Sequence, residues 1–167
     1  NSDYQADLVF IAVKPQDSQE ILTAFAKEKI LNKNTIFVSI LAGKEMKFFE
    51  NIFGSDAKIV RSMPNLPIEY AQGILSYLCN KNIAESDLEN IHNLFKGFGL
   101  AFQIKSESSF NSLSALFGSG PAYIFLLQEI FTQIALSHGV EEEDAVKLVK
   151  KLFLGSSLMS NFSKKDF

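Results

Sequence analysis

Short apolar runs alternating with helix-spaced segments leave this chain few folds to choose from. Ala6 to Val13 and Thr35 to Ile40 are apolar stretches apart from Asp7, Thr35 and Ser39, and Lys58 to Ser62 reads as a third strand. Short runs rich in β-branched residues are what strands look like when both faces of a sheet are covered, as in parallel sheets. The segments between them, about 18–31 and 44–53, carry apolar residues at helical spacing, with Ile21, Leu22, Phe25 and Ala26 on one face of the first. Asp17 or Ser18 can cap that helix, and Gly54 can end the second. Strand, helix, strand, helix, strand in that order predicts an α/β doubly wound sheet with crossover helices.

The pattern then loosens. Met63 to Ile68 contains Pro64 and Pro67 and is expected to be irregular. Gly73 to Cys79 is strand-like without a helix before it, which predicts an antiparallel strand at the sheet edge. Ser86 can cap a helix to about Lys96, and Leu100 to Ile104 reads as a last strand. The polar stretch Lys105–Ser109 marks a change of character, dividing a sheet domain at 1–105 from an all-helical domain at 106–167. In the second part, Phe110 to Leu116 reads as a short helix broken at Gly118-Ser119-Gly120. Pro121 suits the first turn of the next helix, where its missing N–H costs nothing. That helix, ending near Gly139, is apolar almost all round and must be covered on most sides. A partner subunit is the natural cover. Glu141 to Asp144 open a last helix, their charge matched to its N-terminal dipole.

Composition excludes several roles. At 167 residues, with 47% hydrophobic and 21% charged residues, the chain can build a core without staples. A net charge of −3 gives no bulk attraction for nucleic acid or an anionic membrane surface. Cys79 is the single cysteine, so no internal disulfide forms and a reducing, cytoplasmic setting is expected. No uninterrupted apolar run approaches the roughly 18 residues of a membrane span, so no membrane partner is expected. Residues 1–6 show no leader pattern, although the chain begins with Asn1 rather than Met. No metal-ligand spacing is present, and His92 and His138 stand alone on helices.

Four motifs carry the functional reading. Ala12-Val13-Lys14-Pro15 ends the first strand and Ile40-Leu41-Ala42-Gly43 the second, and ligands in such sheets bind beyond the carboxyl ends of strands. Arg61-Ser62-Met63-Pro64-Asn65-Leu66-Pro67 follows the third, read as a rigid polar loop in which Asn65 offers both a donor and an acceptor. Gly118-Ser119-Gly120 precedes a helix and could bind an anion or form a packing elbow. It is not a dinucleotide fingerprint, because Tyr123 stands at the third glycine position. It is not a nucleophile elbow either, because Phe117 replaces the first glycine. No catalytic residue is singled out.

Jointly, A-V-K-P at 12–15, S-I-L-A-G at 39–43, R-S-M-P-N-L-P at 61–67 and G-S-G-P-A-Y at 118–123 resemble the pyrroline-5-carboxylate reductase family, in order and spacing across essentially the whole chain. The resemblance implies a partial Rossmann-like NAD(P)-binding domain followed by part of a helical dimerisation domain. It implies reduction of 1-pyrroline-5-carboxylate to L-proline with NADPH or NADH, no metal, and a homodimer or ring of dimers. It puts Ala12, Val13, Lys14, Pro15, Ile40, Leu41 and Ala42 beside the nicotinamide half of the cofactor, and Met63, Pro64 and Asn65 near the substrate. The family's glycine-rich phosphate loop and its S-P-G-G-T substrate loop are expected before residue 1 and after Phe167. A chain without them would keep fold and oligomerisation but not catalysis. Leu66, Phe117 and Asn111 depart from the family's usual Thr, Ser and Asp. A related reductase, such as a 3-hydroxyacid or prephenate dehydrogenase, would be expected to carry a Lys or His on the central helix, where only terminal His138 stands.

Overall fold

The computed structural model describes residues 5–163; expectations touching residues 1–4 or 164–167 lie outside it. Five strands, β1 (Leu8–Ile11), β2 (Ile36–Ser39), β3 (Lys58–Pro64), β4 (Gly73–Cys79) and β5 (Gly99–Gln103), form one sheet in the order β1-β2-β3-β4-β5. β1, β2 and β3 pair in parallel. β4 runs antiparallel to β3, with Ser62 opposite Tyr77, and β5 runs parallel to β4. Helices α1 (Ser18–Phe25), α2 (Met46–Phe53) and α3 (Glu85–Lys96) lie between strands, and α4 (Glu107–Ser137) and α5 (Glu142–Phe162) follow the sheet. The chain forms two compact units, residues 1–119 and 120–167, and α4 runs through both. The sequence put the change of character earlier, at 105–109.

Alternation along the strands builds two cores in the first unit. Ile11, Phe37, Ile59 and Leu78 point to one face, where they join Leu22 of α1 and Met46 and Phe49 of α2. Val38, Val60 and Tyr77 point to the other, against Ile91 and Phe95 of α3. Helices therefore cover both faces, which is the doubly wound arrangement the strand composition implied. Phe49, Phe95, Ile59, Val38 and Val60 are fully buried. Each such side chain stabilises the fold by about 1.5–3 kcal/mol relative to exposure.

Several local expectations are corrected. α1 stops at Phe25, because Lys27-Glu28-Lys29 supplies no apolar stripe to continue it. Its cap position, Asp17, makes no side-chain cap bond, and Ser18 Oγ instead donates back to the Pro15 carbonyl at 2.7 Å. α3 likewise starts without a side-chain cap, at Ala84 rather than Ser86. Arg61 to Pro64 are not a loop: they continue β3 against Leu75–Leu78 of β4. A 3-10 turn, Leu66–Tyr70, then reverses the chain. β4 is antiparallel as expected but lies inside the sheet, because β5 covers its far side.

The largest correction concerns Gly118-Ser119-Gly120-Pro121. No elbow forms, and Pro121 lies inside the continuous helix α4 rather than at its first turn. Gly118 has a steric reason to be glycine: an added Cβ would lie 3.3 Å from Met63 Cε. A side chain there would have to displace the end of Met63 by a few tenths of an ångström. A second correction follows from the length of α4. By length and composition it could cross a membrane, whereas the expectation of no span counted only uninterrupted apolar runs.

In the second unit, Gly139 at φ +84° ends the turn after α4, a backbone state glycine adopts freely. Phe131 and Phe153 meet edge to face at 5.7 Å between centroids, and Ala145 and Val149 are buried. Most other large apolar side chains of this unit, Phe125, Ile130, Leu152 and Leu158 among them, are exposed.

Candidate functional site

A cavity of about 300 Å3 opens where β2 and β3 end. Its wall comes from three places: Leu41, Ala42 and Gly43 after β2, Arg61 and Met63 on β3, and Phe110, Asn111, Ser114, Ala115 and Ser119 on the first turns of α4. The lining is largely apolar with a few converging polar groups, the ordinary character of a small-molecule site. A second hollow, bounded by Asn32, Thr35, Phe53 and Ala57, lies where β2 and β3 begin, the opposite end from which such sheets bind ligands.

The floor is built around a buried guanidinium. Arg61 is 3% exposed, in a strand whose other charged residue, Lys58, stands at its start. A charge so placed needs partners. Glu107, from the first turn of α4, pairs with its Nη1. Asn111 Oδ1 accepts from Nη2 at 3.4 Å, and the Phe110 ring lies under the guanidinium at 4.5 Å. The same Glu107 oxygen accepts the Met46 N–H at 2.8 Å, so one carboxylate joins β3, α2 and α4. Two buried side-chain atoms remain without a hydrogen-bond partner among the described residues, Arg61 Nε and Ser114 Oγ. Both belong to residues that line the cavity. Unpaired buried donors of this kind are where a ligand's acceptors would be recognised.

The structure brings some expected residues together and separates others. Leu41, Ala42 and Met63 line the cavity. Ile40 stands beside it, its N–H donating to the Ile11 carbonyl at 3.1 Å and so joining the ends of β1 and β2. Ala12, Val13, Lys14 and Pro15 form the turn after β1; Lys14 is exposed, and Val13 packs on the core. None of these four lines the cavity, nor do Pro64 and Asn65. Asn65 is buried, and its amide is engaged by the protein: Oδ1 accepts from Ile74 N–H at 2.8 Å, and Nδ2 donates to the Phe117 carbonyl at 3.2 Å.

Glu107 and Ser114 were not singled out by sequence reasoning, and Arg61 entered only as the first residue of a motif, with no role of its own. An arginine inside a buried strand was the available signal, since it demands a counter-charge. Glu107 lies 46 residues away, and nothing local points to it. His92 is not alone: its Nδ1 shares a hydrogen bond with Tyr77 Oη at 2.9 Å. Burial first, then the neighbouring Cys79, raises the Tyr77 pKa. Burial likewise pushes the Cys79 thiol up to about 11, so it is a poor nucleophile at neutral pH.

Sheet order, a cavity at the strand ends and a following helical segment define the class: an α/β unit covered on both faces, followed by a helical segment. The family model described as pyrroline-5-carboxylate reductase dimerisation matches residues 107–166. A pyrroline-5-carboxylate reductase of Aquifex aeolicus is 33% identical over 152 residues, covering 91% of this chain and 55% of that protein. The Escherichia coli K12 protein of the same name is 32% identical over 154 residues, covering 92% and 56%. The crystal structure of a Plasmodium falciparum pyrroline carboxylate reductase with NADP bound superposes with a TM-score of 0.87 at 28% identity, covering 95% of this chain and 59% of that one. Over about nine-tenths of its length the chain is similar to pyrroline-5-carboxylate reductases, residues 107–166 match their dimerisation model, and it spans about half the length of the relatives it matches.

Proposed function

We propose that the protein containing this chain reduces 1-pyrroline-5-carboxylate to L-proline with NADPH or NADH, and that the cavity is where the reacting ends of cofactor and substrate meet. The observation that carries the reading is convergence: residues from three of the four family motifs, Leu41-Ala42-Gly43, Arg61 with Met63, and Ser119, line one cavity at the strand ends. Its volume sits at the small end for ligand sites, which suits a nicotinamide ring and a five-membered imine rather than a whole dinucleotide. When bound, the nicotinamide supplies the hydride for the imine carbon, and the imine nitrogen takes up a proton.

The chain's own residues then bind, orient and exclude water. Leu41, Ala42 and Met63 give the ring an apolar seat, with Ile40 and the Ala12–Pro15 turn flanking it toward β1. Ser114 Oγ and Arg61 Nε–H are the donors left for ligand acceptors. Holding two reactants in register is worth a large part of such a barrier. Met63 is the member of Met63-Pro64-Asn65 that faces the substrate, and the other two hold it. The exposed apolar side chains of the second unit are the surface through which copies pair, and this use, rather than a membrane, accounts for the composition of α4. A cytoplasmic location follows from the same reading.

The test is pyrroline-5-carboxylate-dependent oxidation of NAD(P)H by the complete gene product. No turnover at saturating substrate with either cofactor would sink the reading. Turnover by the complete protein but none by residues 1–167 alone would make this chain the fold-and-assembly part of the enzyme.

A further inference from the structure

We infer that Asn65 is a positioning residue: it supplies the hydrogen-bond donor that Pro121 cannot, and so fixes the cavity-facing turns of α4 against β3. α4 is continuous through Pro121. In a continuous helix the Phe117 carbonyl accepts from the N–H four residues on, and proline has none. A carbonyl left unpaired in a part-buried setting carries a desolvation penalty. The donor comes instead from across 52 residues of sequence, Asn65 Nδ2 at 3.2 Å from Phe117 O.

The orientation of that amide is determined. Asn65 Oδ1 accepts the Ile74 N–H at 2.8 Å, so a flipped amide would set donor against donor. Asn65 N–H also donates to the Ile74 carbonyl at 3.2 Å, which holds the residue at the end of the β3–β4 ladder. One side chain therefore clamps β4 with its oxygen and α4 with its nitrogen. The clamped carbonyl lies next to Gly118, which rests against Met63, and one turn from Ser114. Met63, Ser114 and Ser119 line the cavity, so the clamp sets the spacing of its two walls. The inference depends on the reductase reading only for where its kinetic effect is observed.

A four-protein cycle on the complete gene product tests it: parent, Asn65→Asp, Pro121→Ala and the double variant. Asn65→Asp keeps an oxygen for Ile74 N–H but turns an acceptor toward the Phe117 carbonyl. Pro121→Ala returns the missing N–H to the helix. Asn65→Asp should lower the thermal midpoint and reduce kcat about tenfold or more, while KM for the cofactor moves less than about threefold. Pro121→Ala alone should change both less. In the double variant both losses should be clearly smaller than the sum of the single-variant effects, because the carbonyl now has a donor from its own helix.

An Asn65→Asp penalty that is the same in the parent and in the Pro121→Ala background would overturn the inference, as would a neutral Asn65→Asp. So would a double variant that fails to fold when Pro121→Ala alone folds. If the parent shows no reductase activity, the proposed reaction fails separately, and the thermal cycle still decides the role of Asn65.

Discussion

The two units of the chain satisfy their side chains in different ways. Residues 1–119 close two cores of their own, with Phe49 and Phe95 fully buried and the charged Arg61 paired inside. Residues 120–167 bury Ala145 and Val149 while Phe125, Ile130, Leu152 and Leu158 remain exposed. The first unit covers its central strands β2, β3 and β4, while Phe10 on β1 and Leu100 and Phe102 on β5 stay exposed at the sheet edges. The second displays more apolar side chain than two helices can hide, a pattern that marks an association surface. Similar apolar content is thus largely buried in one unit and largely exposed in the other, where the proposed function uses it for assembly.

The contrast can be broken or sharpened by substitution. The largest effect is expected at the core: Phe95→Ala should destabilise the complete protein by about 3–5 kcal/mol in urea unfolding. If Leu152→Ala in the dissociated protein cost as much, the two units would not differ as described. Next, Ile130→Lys should weaken self-association by about 3 kcal/mol, read by sedimentation equilibrium, while leaving the monomer's circular dichroism unchanged. A variant that still associates at the parent concentration would remove the assembly reading of that face.

Glu107→Gln tests the charge buried in the first unit. Glu107 is about one-third exposed, so solvent screens part of its charge. The expected loss is about 1–2 kcal/mol. Smaller still is a pH effect. The folded pKa of Cys79 is raised by burial from 9.0 to about 11. The folded state thus keeps a proton that the unfolded chain has already released. That contribution is fully present below about pH 9 and is lost as pH rises through about 11. Cys79→Ser should flatten the fall in thermal midpoint between pH 9 and 11. Last, Glu143→Ala removes an exposed i,i+4 pair with Lys147 and should cost only about 0.3 kcal/mol.

Periodicity made the sheet legible. Strands covered on both faces must be apolar throughout, so β1 and β2 announced themselves, and the missing helix before β4 correctly implied an antiparallel strand. The interior position of β4 was not legible, because no local pattern says that β5 will pair with it. The G-S-G-P segment misled for a physical reason. Glycine and proline are helix breakers in isolation, but here Gly118 packs tightly against Met63, and the carbonyl that Pro121 leaves free is met by Asn65. Both partners lie more than fifty residues away in sequence. The cavity was half legible: Leu41, Ala42 and Met63 follow from strand ends and motif, whereas Glu107 and Ser114 came together with Arg61 only through tertiary folding.

The bare face of Gly118 has one more consequence. Met63 both touches that glycine and forms part of the cavity wall. The absence of one methyl group on α4 therefore acts as a spacing gauge for whatever occupies the site. An alanine at 118 would be welcome to the helix, by about 0.5–1 kcal/mol. It would also press the thioether toward the cavity by a few tenths of an ångström. On the proposed function, fit to a ring-sized guest would be set from behind the wall, by a residue that need not touch the guest itself.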